Sequence, residues 1–184
     1  MKNNSHGISL IEILVGVILV GIIIIIIARM YISNQQQIKI QQDILNIQQD
    51  LKHSIDILNS QLRNVGYNTT GVAMTKVVKA QADTFQFNWC GNPSNPTQVN
   101  LVTIRYNNGT MLINSETTTV NIDSFKFTYF DKNNLVTSAT GSVRKIKAFI
   151  RIRTPSKDPK WKMDGGYHKR FMEAEISPLN LAIN

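Results

Sequence analysis

The sequence has little of what usually braces or catalyses. Its 184 residues include one cysteine, Cys90, so no disulfide can form within the chain and a folded domain has to stand on packing. The three histidines, His6, His53 and His168, are scattered and form no His-x-x-x-His pair. There is no Gly-x-Ser-x-Gly nucleophile turn and no phosphate-binding loop. Asp164-Gly165-Gly166 is too short for a calcium loop of the EF-hand kind. These absences argue against an enzyme and against a cofactor or metal, and they leave Cys90 as a buried or idle thiol, with a bridge to another chain as the alternative. Proline is equally scarce: of five, none falls between residues 8 and 66, so nothing there interrupts a helix.

Charge is almost missing from the start of the chain. Ile8 to Ala28 spans 21 residues, and Ser9 and Glu12 are the polar side chains among them. About 20 apolar residues suffice to cross a bilayer as a helix, the form that lets a single segment satisfy its own backbone in lipid. A removable secretory signal has an apolar core of about 7–15 residues ending in small residues. This run is longer, and Met30-Tyr31-Ile32 offers no such exit, so the segment is expected to be retained. Lys2 precedes the run while Arg29 and Lys39 follow it, which leaves orientation undecided by charge.

Beyond residue 29 the composition turns to Gln, Asn and Ile. Ile40, Ile44, Ile47, Leu51, Ile55, Leu58, Leu62 and Val65 recur every three or four residues, one face of a helix. Gly66 is a natural stop. The pattern predicts one continuous helix of about 58 residues, roughly 87 Å long. Its first half, 8–28, is apolar all round. Its second half, 29–66, carries a stripe that needs covering, by a sheet of the same chain or by a facing helix in a coiled coil. From 67 to 184 the period changes to two. Thr84 to Trp89, Val99 to Tyr106, Thr110 to Ile113, Val120 to Phe130, Val143 to Arg153 and Phe171 to Ile176 read as strands, with an Asn108-Gly109 hairpin turn and a long loop from Thr154 to Lys169. The expected class is α+β, a long N-terminal helix packed by its second half on an antiparallel sheet.

Gly7-Ile8-Ser9-Leu10-Ile11-Glu12, followed by the apolar run, resembles the prepilin signature of type IV pilins and type II secretion pseudopilins. The resemblance implies that residues 1–7 are a leader removed by a prepilin peptidase after Gly7. It implies that Ile8 becomes the N-methylated new terminus. Glu12, fifth after the cut, would then meet the amino terminus of a neighbouring subunit and set its register in a fibre. It further implies a chain first held in the inner membrane, N-terminus cytoplasmic and head periplasmic, and later carried in a pilus at the cell surface. Its partners would be other major and minor pilins. Physical chemistry agrees with a role for Glu12, because an ionisable side chain within an apolar segment is costly and usually finds a partner. Gln61-Leu62-Arg63-Asn64-Val65-Gly66-Tyr67, with Gly71 after it, is similar to the helix exit of PilW-type minor pilins, which favour an Arg-x-Ala-Gly-Tyr stretch there. Arg29 stands where many major pilins have proline, which favours an unkinked helix. The cysteine pair common in pilin heads is missing.

Positive charge is concentrated late in the chain. Residues 144–170 hold ten Lys or Arg and two Asp, whereas the remainder balances at ten of each sign. Lys145, Lys147, Arg151 and Arg153 share a strand face with Phe149, and Lys157, Lys160, Trp161 and Lys162 follow in the loop. Basic residues with interspersed aromatics can hold DNA or another polyanion through phosphate contacts and stacking. A solvated face, or one complementary to an acidic neighbouring subunit, is the alternative.

Overall fold

The computed structural model describes residues 10–92 and 94–182, so Gly7 and Ile8, on which the processing expectation rests, lie outside the described residues. Helix α1 runs Leu10–Arg63 and continues through Arg29. The chain divides into two compact units, one ending at Gln42 and the other beginning at Asp43. The first holds the apolar part of α1. Its large side chains, Leu10 to Ile32, are exposed around the helix, a surface that water solvates poorly. This helix is long and apolar enough to cross a membrane.

The second unit holds the rest of α1 and a β-rich head. Strands β1 (Val77–Ala80), β2 (Thr84–Asn92), β3 (Asn95–Asn107), β4 (Thr110–Ile113) and β5 (Glu116–Thr119) form an antiparallel sheet in sequential order. Strands β6 (Ile122–Phe130), β7 (Lys145–Arg153) and β8 (Lys169–Ile176) form a second. A short helix, α2 (Leu179–Ala182), follows. The β3–β4 hairpin turns where the sequence predicts, with Asn108 and Gly109 at φ of 44° and 82°, the sign that a two-residue hairpin turn requires.

The apolar stripe of α1 finds its cover in this head, not in a facing helix, over the part that belongs to the second unit. Ile47, Leu51, Ile55, Leu58 and Leu62 are buried. They join a core built from both sheets. Phe85, Phe87, Val102 and Ile104 come from the first sheet, and Phe127, Tyr129, Ile146, Ile150 and Ile152 from the second. The ring of Phe85 lies 5.5 Å from that of Phe87 and 5.5 Å from that of Tyr129, and Phe125 meets Phe127 edge-on at 4.8 Å. Each large side chain so buried contributes about 1.5–3 kcal/mol. That packing is what a head without a disulfide relies on. The Tyr129 hydroxyl donates to the Gln81 carbonyl at 2.7 Å, and burial pushes its pKa well above the ordinary phenol value.

Three expectations are corrected. The helix ends at Arg63, before Gly66; residues 64–66 form a turn in which Gly66 takes φ of 69° and donates its N–H to the Asn88 carbonyl. The strands form two sheets rather than one. The break follows Val120-Asn121, where Asn121 takes φ of 60°, and β6 stays joined to the turns of the first sheet by Phe127 N–H to Ala82 carbonyl and Ile122 N–H to Gly109 carbonyl bonds. Strands β1 and β5 and helix α2 are elements that the sequence pattern does not predict.

Candidate functional site

Glu12 sits in the first turn of α1 and is exposed, within the unit whose apolar surface is uncovered. A carboxylate at a helix start is favoured by the partial positive charge there. In lipid the same group would need a cationic or hydrogen-bonding partner.

The basic residues of β7 alternate as predicted. Ile146, Ala148, Ile150 and Ile152 are buried; Lys145, Lys147, Phe149 and Arg151 are half-buried on the opposite face, and Arg153 is exposed. Register with the flanking strands then sets acidic groups beside them. Lys145 Nζ lies 3.0 Å from Glu175 and Lys147 Nζ 2.7 Å from Glu173, both on β8. Arg151 Nε donates to Asp123 of β6 at 2.7 Å, and Lys169 lies 3.4 Å from the same carboxylate and 3.4 Å from Asp164. Phe149 stacks on Phe171, with centroids 5.9 Å apart, between these pairs. The strand face is thus a lattice of opposite charges around an aromatic pair, with far less free positive charge than the sequence suggests. Glu173 and Glu175 alternate on β8 as the lysines do on β7, but pairing them requires the strand register, which the sequence does not print.

The remaining predicted cations lie on the loop. Arg153 and Lys157 both sit over the Tyr167 ring, at 4.9 and 5.5 Å from its centroid. Lys160 and Lys162 are exposed next to Trp161. The loop is fastened at its base. Thr154 N–H donates to the His168 carbonyl and Asp158 N–H to the Gly166 carbonyl. His168 Nε2 lies 3.0 Å from Asp158 Oδ2, and Trp161 lies against the imidazole at 4.7 Å. The hydrogen bond from His168 and that from the Lys160 N–H hold the Asp158 carboxyl below its ordinary 3.8.

No protein-family model matches the sequence, and no curated protein matches it either. Among solved structures, the chain is similar to the type IV-like pilin TTHA1219 from Thermus thermophilus, with a TM-score of 0.54 at 14% identity, over 73% of this chain and 98% of that one. At that identity the likeness speaks to fold alone. A long N-terminal apolar helix that ends in an amphipathic half packed on antiparallel strands is the arrangement in question, and the chain has the type IV pilin-like fold.

Proposed function

We propose that this protein is a minor pilin, a structural subunit anchored in the inner membrane by α1 and then built into a type IV pilus or its initiating complex. The observation that carries this reading is α1 itself: apolar on every side in its first half, with Glu12 in the first turn, and amphipathic where it enters a head of pilin-like fold. In the proposed mechanism a prepilin peptidase cuts between Gly7 and Ile8 and the new terminus is methylated. The apolar helices of successive pilins then cover one another in the fibre core. There, Glu12 meets the α-amino group of a neighbour in a medium of low dielectric constant, where an unpaired carboxylate would be costly. No covalent chemistry on a substrate is part of this role.

The test is mass spectrometry of the N-terminus in cells with and without the prepilin peptidase. A chain beginning at methylated Ile8 only when the peptidase is present supports the proposal; one beginning at Met1 in both overturns it. A type II secretion pseudopilin shares every step so far. Counting pili and assaying secreted enzymes in a deletion strain separates the two.

A second reading, capture of DNA or another polyanion, is favoured by the Arg153–Tyr167–Lys157 stack and by exposed Lys162 on the same loop. The ion pairs of Lys145, Lys147 and Arg151 weaken the strand-face part of it. Retention on DNA at low salt that is lost on charge reversal at Arg153, Lys157 and Lys162 supports this reading, and retention that ignores those changes ends it.

A further inference from the structure

Where α1 ends, the head carries an open cleft of about 660 Å³, within the common range of small-molecule clefts. One wall is the helix exit, with Asn59, Arg63, Asn64 and Tyr67; the other is the end of β8, with Glu175, and the segment after it, with Asn180.

Both walls are built. The Tyr67 N–H donates to the Asn64 carbonyl at 3.0 Å, and its own carbonyl accepts from the Cys90 N–H at 2.7 Å. Gly91, at φ of 147°, makes room for the ring: a Cβ there would lie 2.7 Å from Tyr67 Cε1. Opposite, Lys76 Nζ donates to the Asn180 carbonyl at 2.7 Å and Leu181 is buried beneath. Most of the polar side chains that line the cleft are nevertheless unengaged. Among the described residues no hydrogen bond or ion pair involves the side chains of Asn59, Arg63, Asn64, Tyr67 or Asn180, whereas Glu175 is held by Lys145.

The chemistry of this set is specific. Three carboxamides each offer donors and an acceptor, a guanidinium offers a planar fork of donors, and a phenol offers a flat apolar face with a hydroxyl at its edge. A ligand that matches has many hydroxyls in fixed relative positions and weakly apolar C–H faces. A phosphate polymer does not match, because a single cation faces it and the Glu175 carboxylate repels it. An extended peptide is recognised chiefly through backbone groups along an open strand edge, and of edge strand β8 the last two residues, Glu175 and Ile176, are what line this cleft. We propose that the cleft binds a carbohydrate, with a sugar ring laid on Tyr67 and its hydroxyls bonded by Asn59, Arg63, Asn64 and Asn180. The proposal is independent of the pilin reading.

The experiment uses the full chain in lauryldimethylamine oxide, a detergent without sugar, on an array of immobilised mono- and disaccharides. The best ligand is then titrated by calorimetry as its methyl glycoside. Retention of a defined sugar is expected. Tyr67→Ala should weaken it by about tenfold or more, and Asn59→Ala and Arg63→Ala by about threefold to tenfold each. Tyr67→Phe, which keeps the ring, should cost about threefold or less. Asn59 and Arg63 decide the matter if Tyr67→Ala fails to fold by circular dichroism. Three results overturn the proposal: no sugar retained above background, retention unchanged in Asn59→Ala and Arg63→Ala, or retention lost only on charge reversal at Lys157 and Lys162.

Discussion

The hydroxyl of Ser54 on α1 lies 2.5 Å from that of Thr119 on β5, and both residues are buried. Ser54 donates its proton to the Asp50 carbonyl at 2.6 Å, so Thr119 is the donor in this contact and Ser54 the acceptor. The bond fixes a polar β5, which has almost no apolar pattern of its own, to the middle of the buried helix face. Ser54→Ala leaves a buried donor without a partner and should cost about 1–3 kcal/mol. Adding Thr119→Val should cost less than the sum of the two single changes. Denaturant unfolding of the four proteins measures the coupling.

Leu58 is fully buried where the stripe of α1 meets both sheets. Leu58→Ala should destabilise the head by about 2–5 kcal/mol, the range for a large-to-small change with incomplete collapse. The same substitution at exposed Leu45 should fall within about 0.5 kcal/mol. Urea midpoints of the two variants compare them directly.

The charge lattice on β7 and β8 predicts an asymmetry between stability and binding. Glu173→Gln and Glu175→Gln break partly exposed ion pairs and should change stability by about 1 kcal/mol or less. They release Lys147 and Lys145, so the double variant should leave a heparin column at higher salt than the parent protein. Unchanged elution would show that these lysines contribute little to the surface field.

Asp158 gives the loop a dependence on pH with a defined sign. Its carboxyl is held below the ordinary 3.8 in the folded chain, so the unfolded chain binds the proton first as pH falls. The stabilisation is complete above the ordinary carboxyl range and is lost as pH drops through the lower folded-state value. Thermal midpoints of the parent and of Asp158→Asn should therefore differ at neutral pH and converge in acid.

If Glu12 sets register between subunits, as proposed, Glu12→Gln should still insert in the membrane and still be processed. Its incorporation into fibres should fall by about tenfold or more, the scale of one lost charge-assisted contact. Immunoblots of sheared fibres against membrane fractions would measure the ratio.

The long helix was legible because its signals are local: an uncharged run, a spacing of three and four, and no proline. Strands that alternate strongly, such as Lys145–Arg153, were legible for the same reason. Val77–Ala80 and Glu116–Thr119 were not. The first is four residues long, and the second is Glu followed by three threonines; each is a strand because of what pairs with it. The basic stripe was visible, but its neutralisation was not, since Lys147 meets Glu173 only through register and rotamer. The cleft is least legible of all. It joins the exit of α1 to the end of β8 and the segment after it, and neither stretch carries a motif that names the other.

Cys90 is fully buried, and its thiol donates to the Pro96 carbonyl at 2.9 Å. As the sole thiol it is a natural clock for the head. A maleimide can reach it only when the sheet opens, so the labelling rate reads the free energy of that opening directly, in detergent, in a membrane or in an assembled fibre. Labelling that slows on assembly would measure how much the neighbours clamp the subunit, with no engineered probe.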